Sequence, residues 1–517
     1  MQQFPGLSRR AFMGSAAAAT FLAGRTFARD DGTKLTHIST TELARRIAKR
    51  EVSCIEVMKA YIERINEVNP KINAIVQKRE EGVLLDEARA ADRELINGRK
   101  RGPLHGVPFT LKDNIETKGI VTTCGFPELA RYKPTSDATV AKRLKDAGGI
   151  LLGKTNVPEF TMFADTTNLV YGRTKNPYDL SRITGGSSGG EAAIVAACGS
   201  AFGIGTDIGS SIREPSHYCG RAGRKPPSGR VPDTGVLNCF PPFNAHWNST
   251  GPMARCVEDL AIVTKVISGP DGKDPNTVGM PLNGDDVDLR GLRVAYCVED
   301  GLSKPNEETQ QMVKRCARIL SDAGAKITNA RPERFADAIE LWVFGMVPEL
   351  GVGLRQWLEE YAAKAGSKVG DKRLALSDAL FEVLDFWSKE GRYSEQRRYS
   401  NGRRIQQYRS EMLSFMQDFD VILCPVMNGP ADSYSEQETK KPKKLEDEYA
   451  VLQGSGYSYC MAFNTTGWPA ASVPVGRSST GLPFGVQVAS KPWREDLVLK
   501  VANELEQKIG GWQPPKL

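Results

Sequence analysis

TGGSSGGEAAIVAACGSAFGIGTDIGSSIR, residues 184–213, is the stretch from which the rest of the chain can be interpreted. Two clusters of Gly and Ser flank a run of small apolar residues, Ala192 to Phe202, which predicts a closely packed helix. Glycine adopts positive φ without strain, and a turn that aims several N–H groups at one point can bind an anion. Gly/Ser runs are also typical of flexible linkers, but the apolar helix and the isoleucines around Asp207 argue against one. We therefore expect the two clusters to form two walls of one site.

A lysine upstream of this stretch ends a second candidate segment, HGVPFTLKDNIETKG, residues 105–119. Residues 107–111 predict a short strand, and Lys112 is the next residue. An apolar environment removes hydration from an ammonium group and lowers its pKa. The sequence therefore predicts a lysine that can act as a neutral amine.

The two segments together resemble the amidase signature family, serine hydrolases that cleave carboxamides. Three motifs carry the resemblance: LKDN with Lys112, GGSSGGE with Ser187 and GTDIGSSIR with Ser211. It continues in KTNVPEF (154–160), FDVILCPVMNGPA (419–431), GWPAASVPVG (467–476) and GLPFGVQV (481–488), so it covers nearly all of the chain after about residue 35. The resemblance implies an α/β fold in which a central mixed, twisted sheet is flanked by helices on both faces.

The resemblance also implies roles for individual residues. Ser211 corresponds to the nucleophile, Ser187 to a bridging serine held through a cis peptide bond, and Lys112 to the base. The implied oxyanion donors are the backbone N–H groups of Ile208, Gly209, Ser210 and Ser211, and the supporting residues are Ser188, which would hydrogen-bond locally, and Asp207 and Arg213, which would form an ion pair. The expected substrate is a small-molecule amide, with no cofactor and no metal.

The chain departs from the family pattern close to the nucleophile. Ser210 stands where the family usually has glycine, so a positive φ there would strain the backbone by about 1–2 kcal/mol. Arg221 and Arg224 occupy positions where the family is mostly apolar, and Pro227 replaces a common threonine. These departures leave open a catalytically weak binding protein of the same fold. A second alternative is an ammonia-supplying subunit of a transamidating complex, which shares the three motifs.

Two short motifs suggest other enzymes. Gly148 to Thr155 match the nucleotide-binding pattern G-x-x-x-x-G-K-T, but their apolar interior predicts a buried strand, and Pro158 interrupts any helix after them. Gly185 to Gly189 fit the G-x-S-x-G nucleophile elbow of α/β-hydrolases, yet the preceding NPYDLSRIT is polar and does not predict the buried strand that an elbow follows. None of the four histidines lies in H-E-x-x-H spacing, and we interpret His217 as structural.

The first residues have their own organisation. Arg9 and Arg10 precede a mildly apolar stretch, residues 16–23, and Thr26-Phe27-Ala28 follow. This resembles a twin-arginine export signal cleaved after about Ala28, and predicts a periplasmic or secreted protein; without a functional signal it would be cytoplasmic. The apolar run is shorter than the roughly 20 residues that cross a bilayer, so we expect no stable membrane anchor.

The predicted organisation is a signal peptide (1–28) and one amidase domain (29–517) with N-terminal helices (29–100), a catalytic core (101–330), a variable helical substrate-channel region (331–450) and a C-terminal return to the sheet (451–517).

Composition excludes several classes of protein. The 517 residues are 40% hydrophobic and 25% charged, as in a globular protein with a large core. The net charge of +7 is not gathered into a basic block, so we expect no nucleic-acid partner. Ten cysteines without a C-x-x-C pair predict free, mostly buried thiols. A homodimer is one assembly compatible with this sequence.

Hydrophobic periodicity predicts the remaining elements. We expect helices over 40–66, ended by Asn69 and Pro70, and over 80–98, so that the first hundred residues form a helical layer. Residues 333–417 are predicted to be helical and carry several aromatic residues, which at helical spacing are more often part of a core. The family resemblance implies that this region borders the substrate channel, so its aromatic content favours apolar or aryl acyl groups as substrates: Trp342, Phe344, Trp357, Phe381, Phe386 and Trp387. The other expected elements are a helix at 254–267, a strand, helix and strand over 292–330 with the helix at 306–323, a solvated loop at 435–448, and strands at 457–475 and 484–488.

Overall fold

An eleven-stranded mixed sheet runs through the described residues of this computed structural model, which are 34–237, 246–282, 287–366, 394–436 and 454–517. The spatial order of the strands is β1-β3-β2-β4-β6-β5-β10-β11-β9-β7-β8. The strands are β1 (Ile75–Lys78), β2 (Pro108–Lys112), β3 (Ile150–Thr155), β4 (Phe202–Asp207), β5 (Ala222–Lys225), β6 (Ser249–Ala254), β7 (Arg293–Tyr296), β8 (Lys326–Asn329), β9 (Val421–Pro425), β10 (Ala470–Arg477) and β11 (Pro483–Ser490).

Helices flank this sheet on both faces. They are α1 (Thr40–Ala48), α2 (Cys54–Ile72), α3 (Glu81–Ile96), α4 (Thr139–Asp146), α5 (Gly189–Ala196), α6 (Arg213–Tyr218), α7 (Val257–Ile267), α8 (Glu307–Asp322), α9 (Asp337–Lys364), α10 (Glu395–Phe415), α11 (Ser458–Thr465) and α12 (Glu495–Ile509). Side chains of a strand alternate between the two faces of its sheet. In β9, Val421 and Leu423 join the hydrophobic cluster of α2, α7, α8 and α12, whereas Ile422 and Cys424 join that of α9, α10 and α11. The predicted α/β fold is confirmed.

Parallel pairing positions the predicted base next to the central loop. β2 lies between β3 and β4 and is parallel to both. The carboxyl ends of parallel strands lie at the same edge of a sheet, where α/β proteins commonly bind their ligands. Lys112 and Asp207 are the last residues of β2 and β4. The sheet thus brings LKDN and GTDIGSSIR together.

The prediction of one helix over 40–66 is wrong. Ser39 caps α1, and Ser53 begins α2 with a reciprocal capping box to Glu56. Pro70 does not end α2, because proline has a φ compatible with a helix, and the chain leaves the helix at Asn73, which is left-handed. The first hundred residues are also not purely helical, since β1 pairs antiparallel with β3 at the edge of the sheet.

The small-residue run of the central stretch is shorter as a helix than predicted. α5 ends at Ala196, and Cys198 has a φ of 64°, which turns the chain out of the helix before Phe202 begins β4. The predicted strand over 457–475 is also wrong in its first half, where α11 forms. Gly467, with a φ of 74°, then separates α11 from β10.

Other predicted elements are confirmed within a few residues. These are α3, α7, the β7-α8-β8 unit, the strand at 150–155 in place of a phosphate loop, and β11. Residues 333–417 contain α9 and α10, whereas Phe381, Phe386 and Trp387 lie outside the described residues, as do most of the 435–448 segment and all of residues 1–28, for which an export signal is predicted. The nine described cysteines are free, and eight of them are buried.

Candidate active site

Lys112 lies in a completely buried position at the end of β2. Its Nζ lies 2.6 Å from Ser187 Oγ and 2.8 Å from Thr206 Oγ1, and the Thr206 carbonyl oxygen is 3.4 Å away. Burial lowers the pKa of Lys112 to about 7, because a charged ammonium loses its hydration there. A large fraction of Lys112 is therefore a neutral amine near pH 7.

Ser187 lies in a turn that the preceding glycines make possible. Gly185 has a φ of 75°, and the peptide bond between Gly186 and Ser187 is cis. A side chain on Gly186 would collide with the carbonyl oxygen of Phe163, so this segment packs closely beside the turn. Ser188 follows as the N-cap of α5, and its Oγ bonds to the Thr206 backbone across the site, not locally as the sequence suggested.

Ser211 lies on the loop between β4 and α6. The Ser188 N–H donates to the Ser211 carbonyl oxygen at 3.2 Å, so the two Gly/Ser clusters are hydrogen-bonded to each other. Between these two described loops, no hydrogen bond joins the hydroxyls of Ser187 and Ser211. The structure thus brings Lys112 and Ser187 into contact and places Ser211 on the neighbouring wall.

The predicted oxyanion donors lie on this same loop. Within the described ranges, the backbone N–H groups of residues 208–211 have no hydrogen-bond acceptor in the protein. The next two N–H groups differ, because those of Ile212 and Arg213 donate to the Asp207 carboxylate at 3.0 and 3.4 Å. Four N–H groups beside Ser211 thus remain free to bind a negatively charged oxygen.

A buried ion pair supports the base of this loop. Arg213 contacts both carboxylate oxygens of Asp207, at 2.8 and 2.9 Å, and neither side chain is exposed. Asn464 donates to Asp207 at 2.9 Å, while Gln487 accepts from Arg213 at 2.8 Å. Burial alone would raise the pKa of Asp207, but the Arg213 guanidinium lowers it to about 2. The carboxylate therefore stays ionised at any ordinary pH.

Ser210 does not carry the backbone strain expected for a serine in a glycine position. It is absent from the non-glycine residues with positive φ, so the left-handed conformation does not occur there. Its Oγ donates to Glu214 Oε2 at 2.9 Å, and Tyr457 donates to the other oxygen at 3.0 Å. Burial raises the pKa of Glu214 to about 8. The serine thus links the loop of residues 208–211 to α6.

The other departures and His217 lie in the surrounding core. Arg221 is completely buried, and its three guanidinium nitrogens have no acceptor among the described residues. Arg224 donates to Thr264 at 3.0 Å and lies 3.6 Å from Glu495. His217 is enclosed between the backbones of Gly429 and Gly485, which agrees with its interpretation as structural.

Sequence reasoning missed several residues of the site. Thr206 contacts Lys112, Asn464 supports Asp207, and Trp342 donates to the loop at Ile208. Thr206 lies inside the GTDIG motif and could have been proposed as a strand residue facing the base. Asn464 comes from a distant segment that carries no local signal, and Trp342 is among the aromatic residues singled out in 333–417, but nothing local predicts its contact with Ile208. The lysine of the phosphate-loop-like motif, Lys154, instead pairs with Asp113 at 3.5 Å.

An aromatic cluster is linked to the LKDN segment through backbone hydrogen bonds. Phe160 makes edge contacts with Phe126 and Trp357, and Trp357 stacks on Tyr361 with ring centroids 4.4 Å apart. The cluster is joined to the site because Phe160 N–H donates to Cys124, whose own N–H donates to Asp113. Trp357 belongs to α9, the region in which the sequence predicted substrate-contacting aromatics.

Membrane spans and metal clusters are both missing from the described residues. None of the described helices combines the length and apolar composition needed to cross a membrane. The described part of the chain also contains no group of three or more His, Cys, Asp or Glu side chains arranged to hold a metal ion.

Known proteins resemble this chain along most of its length. The profile of the family described as Amidase matches residues 56–499. The chain is 33% identical over 477 residues to an acylamidase of Rhodococcus erythropolis, covering 91% of this chain and 95% of that protein. It is 32% identical over 486 residues to a glutamyl-tRNA(Gln) amidotransferase subunit of Thermoanaerobacter pseudethanolicus, covering 92% and 97%. The structure of a bacterial aryl acylamidase of the amidase signature enzymes matches with a TM-score of 0.79 and 25% identity, covering 91% and 96%.

Proposed function

Because the chain belongs to the amidase family, we propose that Lys112, Ser187 and Ser211 form the catalytic relay of an exported amidase for apolar or aryl amides. The protein hydrolyses a carboxamide C–N bond to give a carboxylic acid and an amine or ammonia. The observation that carries the relay is the contact between Ser187 Oγ and a buried Lys112 whose pKa is about 7.

The relay begins with the neutral Lys112 amine. It accepts the Ser187 proton while Ser187 accepts the proton of Ser211, whose oxygen attacks the substrate carbonyl. The free N–H groups of residues 208–211 stabilise the negative oxygen that forms. The protons then return through Ser187 to the leaving nitrogen as the C–N bond breaks. Water hydrolyses the acyl-enzyme at Ser211 and restores the serine.

Covalent labelling tests this relay. A fluorophosphonate should form one adduct per chain, and mass spectrometry of peptides should place it on Ser211. Ser211→Ala should lose both adduct and amide turnover. Ser472, a buried serine of β10 outside the site, supplies the matched control, and Ser472→Ala should keep both. An adduct on another serine, or normal turnover by Ser211→Ala, would contradict the assignment.

The preference for apolar or aryl acyl groups is supported by the aromatic cluster of Phe126, Phe160, Trp357 and Tyr361 and by the likeness to an aryl acylamidase. A panel of anilides, arylacetamides, short aliphatic amides, peptide amides and carbamates tests it. We expect kcat/KM to be highest for amides whose acyl group is aromatic or large and apolar. Equal or faster hydrolysis of short aliphatic amides would contradict the preference.

Export is supported by the sequence of residues 1–28 alone, which resembles a twin-arginine signal. Replacing Arg9 and Arg10 by lysines should retain the protein inside the cell, since the twin-arginine export machinery recognises the arginine pair. Fractionation and N-terminal sequencing measure this. An unchanged distribution of the variant, or an intact Met1 on exported protein, would contradict it.

The alternative function is the ammonia-supplying subunit of a transamidating complex, favoured by the similarity to the glutamyl-tRNA(Gln) amidotransferase of Thermoanaerobacter pseudethanolicus. Such a protein would release ammonia from glutamine and would copurify with the other members of its complex, which the export signal argues against. Glutaminase activity that exceeds hydrolysis of the anilides and arylacetamides of the panel would favour this alternative. The homodimer also stays a prediction, which light scattering of the purified protein would decide.

A further inference from the structure

One aromatic side chain of α9 contacts the loop that carries the predicted oxyanion donors. Trp342 Nε1 donates a hydrogen bond of 2.7 Å to the carbonyl oxygen of Ile208. The indole is 9% exposed and belongs to the same hydrophobic cluster as Ile208. The contact therefore links the helical region at 337–364 directly to the residue pair that precedes Ser210 and Ser211.

Gly209 shows how closely the indole approaches this loop. A Cβ added at Gly209 would lie 3.2 Å from Trp342 Cζ2 and 3.4 Å from Nε1, which is tighter than ordinary packing. The φ of Gly209 is not in the left-handed region. Glycine is thus needed here for the close approach of the indole and not for an unusual backbone conformation.

The hydrogen bond acts on a single peptide group. The Ile208 carbonyl and the Gly209 N–H belong to one planar unit and point in opposite directions, so an anchor on the oxygen fixes the direction of the N–H. A donor on the carbonyl also polarises the N–H of the same unit, and hydrogen bonds in such chains strengthen each other by about 10–30%. Gly209 N–H is one of the four groups without an acceptor among the described residues.

We propose that Trp342 is a positioning residue for the oxyanion site: its indole N–H holds the Ile208–Gly209 peptide so that the Gly209 N–H faces the negative oxygen. The proposal rests on the proposed function, because it requires attack by Ser211 and stabilisation by this loop. Trp342 acts through the peptide and needs no contact with the substrate.

Its effect should appear in kcat and not in KM. The negative oxygen exists only in the transition state and the tetrahedral intermediate, so a misdirected donor weakens these states without weakening substrate binding. Removing a complete oxyanion donor costs about 10²–10³ in kcat. Loss of the anchor leaves the donor present but poorly directed, so we expect a decrease of about tenfold to a hundredfold.

The test replaces Trp342 by β-(3-benzothienyl)alanine, which keeps the two-ring shape and exchanges the N–H for sulfur. The matched control is the same replacement at Trp247, a fully buried indole of the same cluster whose Nε1 has no acceptor among the described residues. The measurements are kcat and KM with an anilide, the affinity for a trifluoromethyl ketone as an oxyanion-forming probe, the pH profile and the unfolding temperature.

We expect the variant at position 342 to lose at least about tenfold in kcat and a similar factor in trifluoromethyl ketone affinity, with KM and the pH midpoint unchanged. The variant at position 247 should keep the wild-type kcat. A kcat within about twofold of wild type at position 342, or an equal loss at position 247, would overturn the proposal. Ser211→Ala distinguishes failure of the proposed function from failure of the role of Trp342. If Ser211→Ala keeps turnover, the proposed function fails. If Ser211→Ala is inactive while the variant at position 342 is fully active, only the role of Trp342 fails.

Discussion

Two lysines on neighbouring strands have the same burial but different partners. Lys112 ends β2, and Lys154 lies beside it on β3, where Leu111 and Lys154 are paired. Neither side chain is exposed. Lys154 Nζ donates to the Ile115 carbonyl oxygen at 2.5 Å and to the Thr122 hydroxyl at 3.1 Å, and a carboxylate oxygen of Asp113 lies 3.5 Å away. Lys112 Nζ contacts the hydroxyls of Ser187 and Thr206.

Of the two lysines, only Lys154 has a carboxylate at ion-pair distance among the described residues, and we expect this difference to decide which lysine can act as a base. Burial lowers the pKa of both lysines. The Asp113 carboxylate opposes this effect at Lys154, because a nearby negative charge stabilises the ammonium form. At Lys112 burial is the largest effect, and the opposing charges of Cys124, Asp207 and Glu191 do not cancel it, so its pKa falls to about 7. Two buried lysines on adjacent strands thus differ in whether a carboxylate lies beside them.

The largest expected effect comes from replacing each lysine by methionine. Lys112→Met should lower kcat by about a thousandfold or more, since it removes the base, and should not lower the free energy of unfolding. Lys154→Met should lower the free energy of unfolding by about 3–5 kcal/mol, because Asp113 is left buried without its partner, while the folded enzyme keeps most of its kcat. Urea denaturation and steady-state kinetics measure both.

If Lys154→Met fails to fold, the double variant with Asp113→Asn removes both charges and restores the comparison. The opposite pattern, with an inactive and stable Lys154→Met and a fully active Lys112→Met, would show that the roles of the two lysines have been exchanged.

A second prediction concerns the relay as a unit. Because Lys112, Ser187 and Ser211 are proposed to transfer one proton in sequence, their losses should not add. The double variant of Lys112→Ala and Ser211→Ala should have about the same residual kcat as the less active of the two single variants. A residual kcat equal to the product of the two single losses would mean that the residues act independently.

A third prediction concerns the buried ion pair of Asp207 and Arg213, in which the cation has a carboxylate partner. Asp207→Asn leaves Arg213 without its carboxylate and should lower the free energy of unfolding by about 3–5 kcal/mol near pH 7. The pKa of Asp207 is lowered to about 2, so its contribution is present above the unfolded-state value of about 3.9 and is lost as the pH falls towards 2. Denaturation between pH 2 and pH 7 should therefore show a smaller difference between variant and wild type at the acid end. A constant difference across this range would contradict the prediction.

The smallest expected effect is at Arg221, the buried cation without an acceptor among the described residues. Burial lowers its pKa to about 10, which reflects the cost of keeping the charge there. Arg221→Met should raise the free energy of unfolding by about 1 kcal/mol or more, while Arg213→Met, which breaks the pair with Asp207, should lower it. Thermal unfolding of the two variants measures this contrast, and a destabilised Arg221→Met would contradict it.

Motifs could predict the parts of the site that depend on short segments. LKDN, GGSSGGE and GTDIGSSIR identify a strand end, a glycine turn and a loop, and the structure forms all three. The contacts of Trp342 with Ile208 and of Asn464 with Asp207 could not be predicted, because they join residues 134 and 257 positions apart. Local pattern also failed at 458–465, where a helix forms from residues that favour strands when considered alone.

The most direct test of the account is the pH dependence with which a fluorophosphonate labels Ser211. In the wild type, the labelling rate should rise with pH through one ionisation near pH 7 and then reach a plateau, because the neutral Lys112 is the active form. In Lys112→Met the rate should be low and should lose this ionisation. An adduct that does not form on Ser211, or an unchanged midpoint in Lys112→Met, would contradict the assignment of Lys112 as the base.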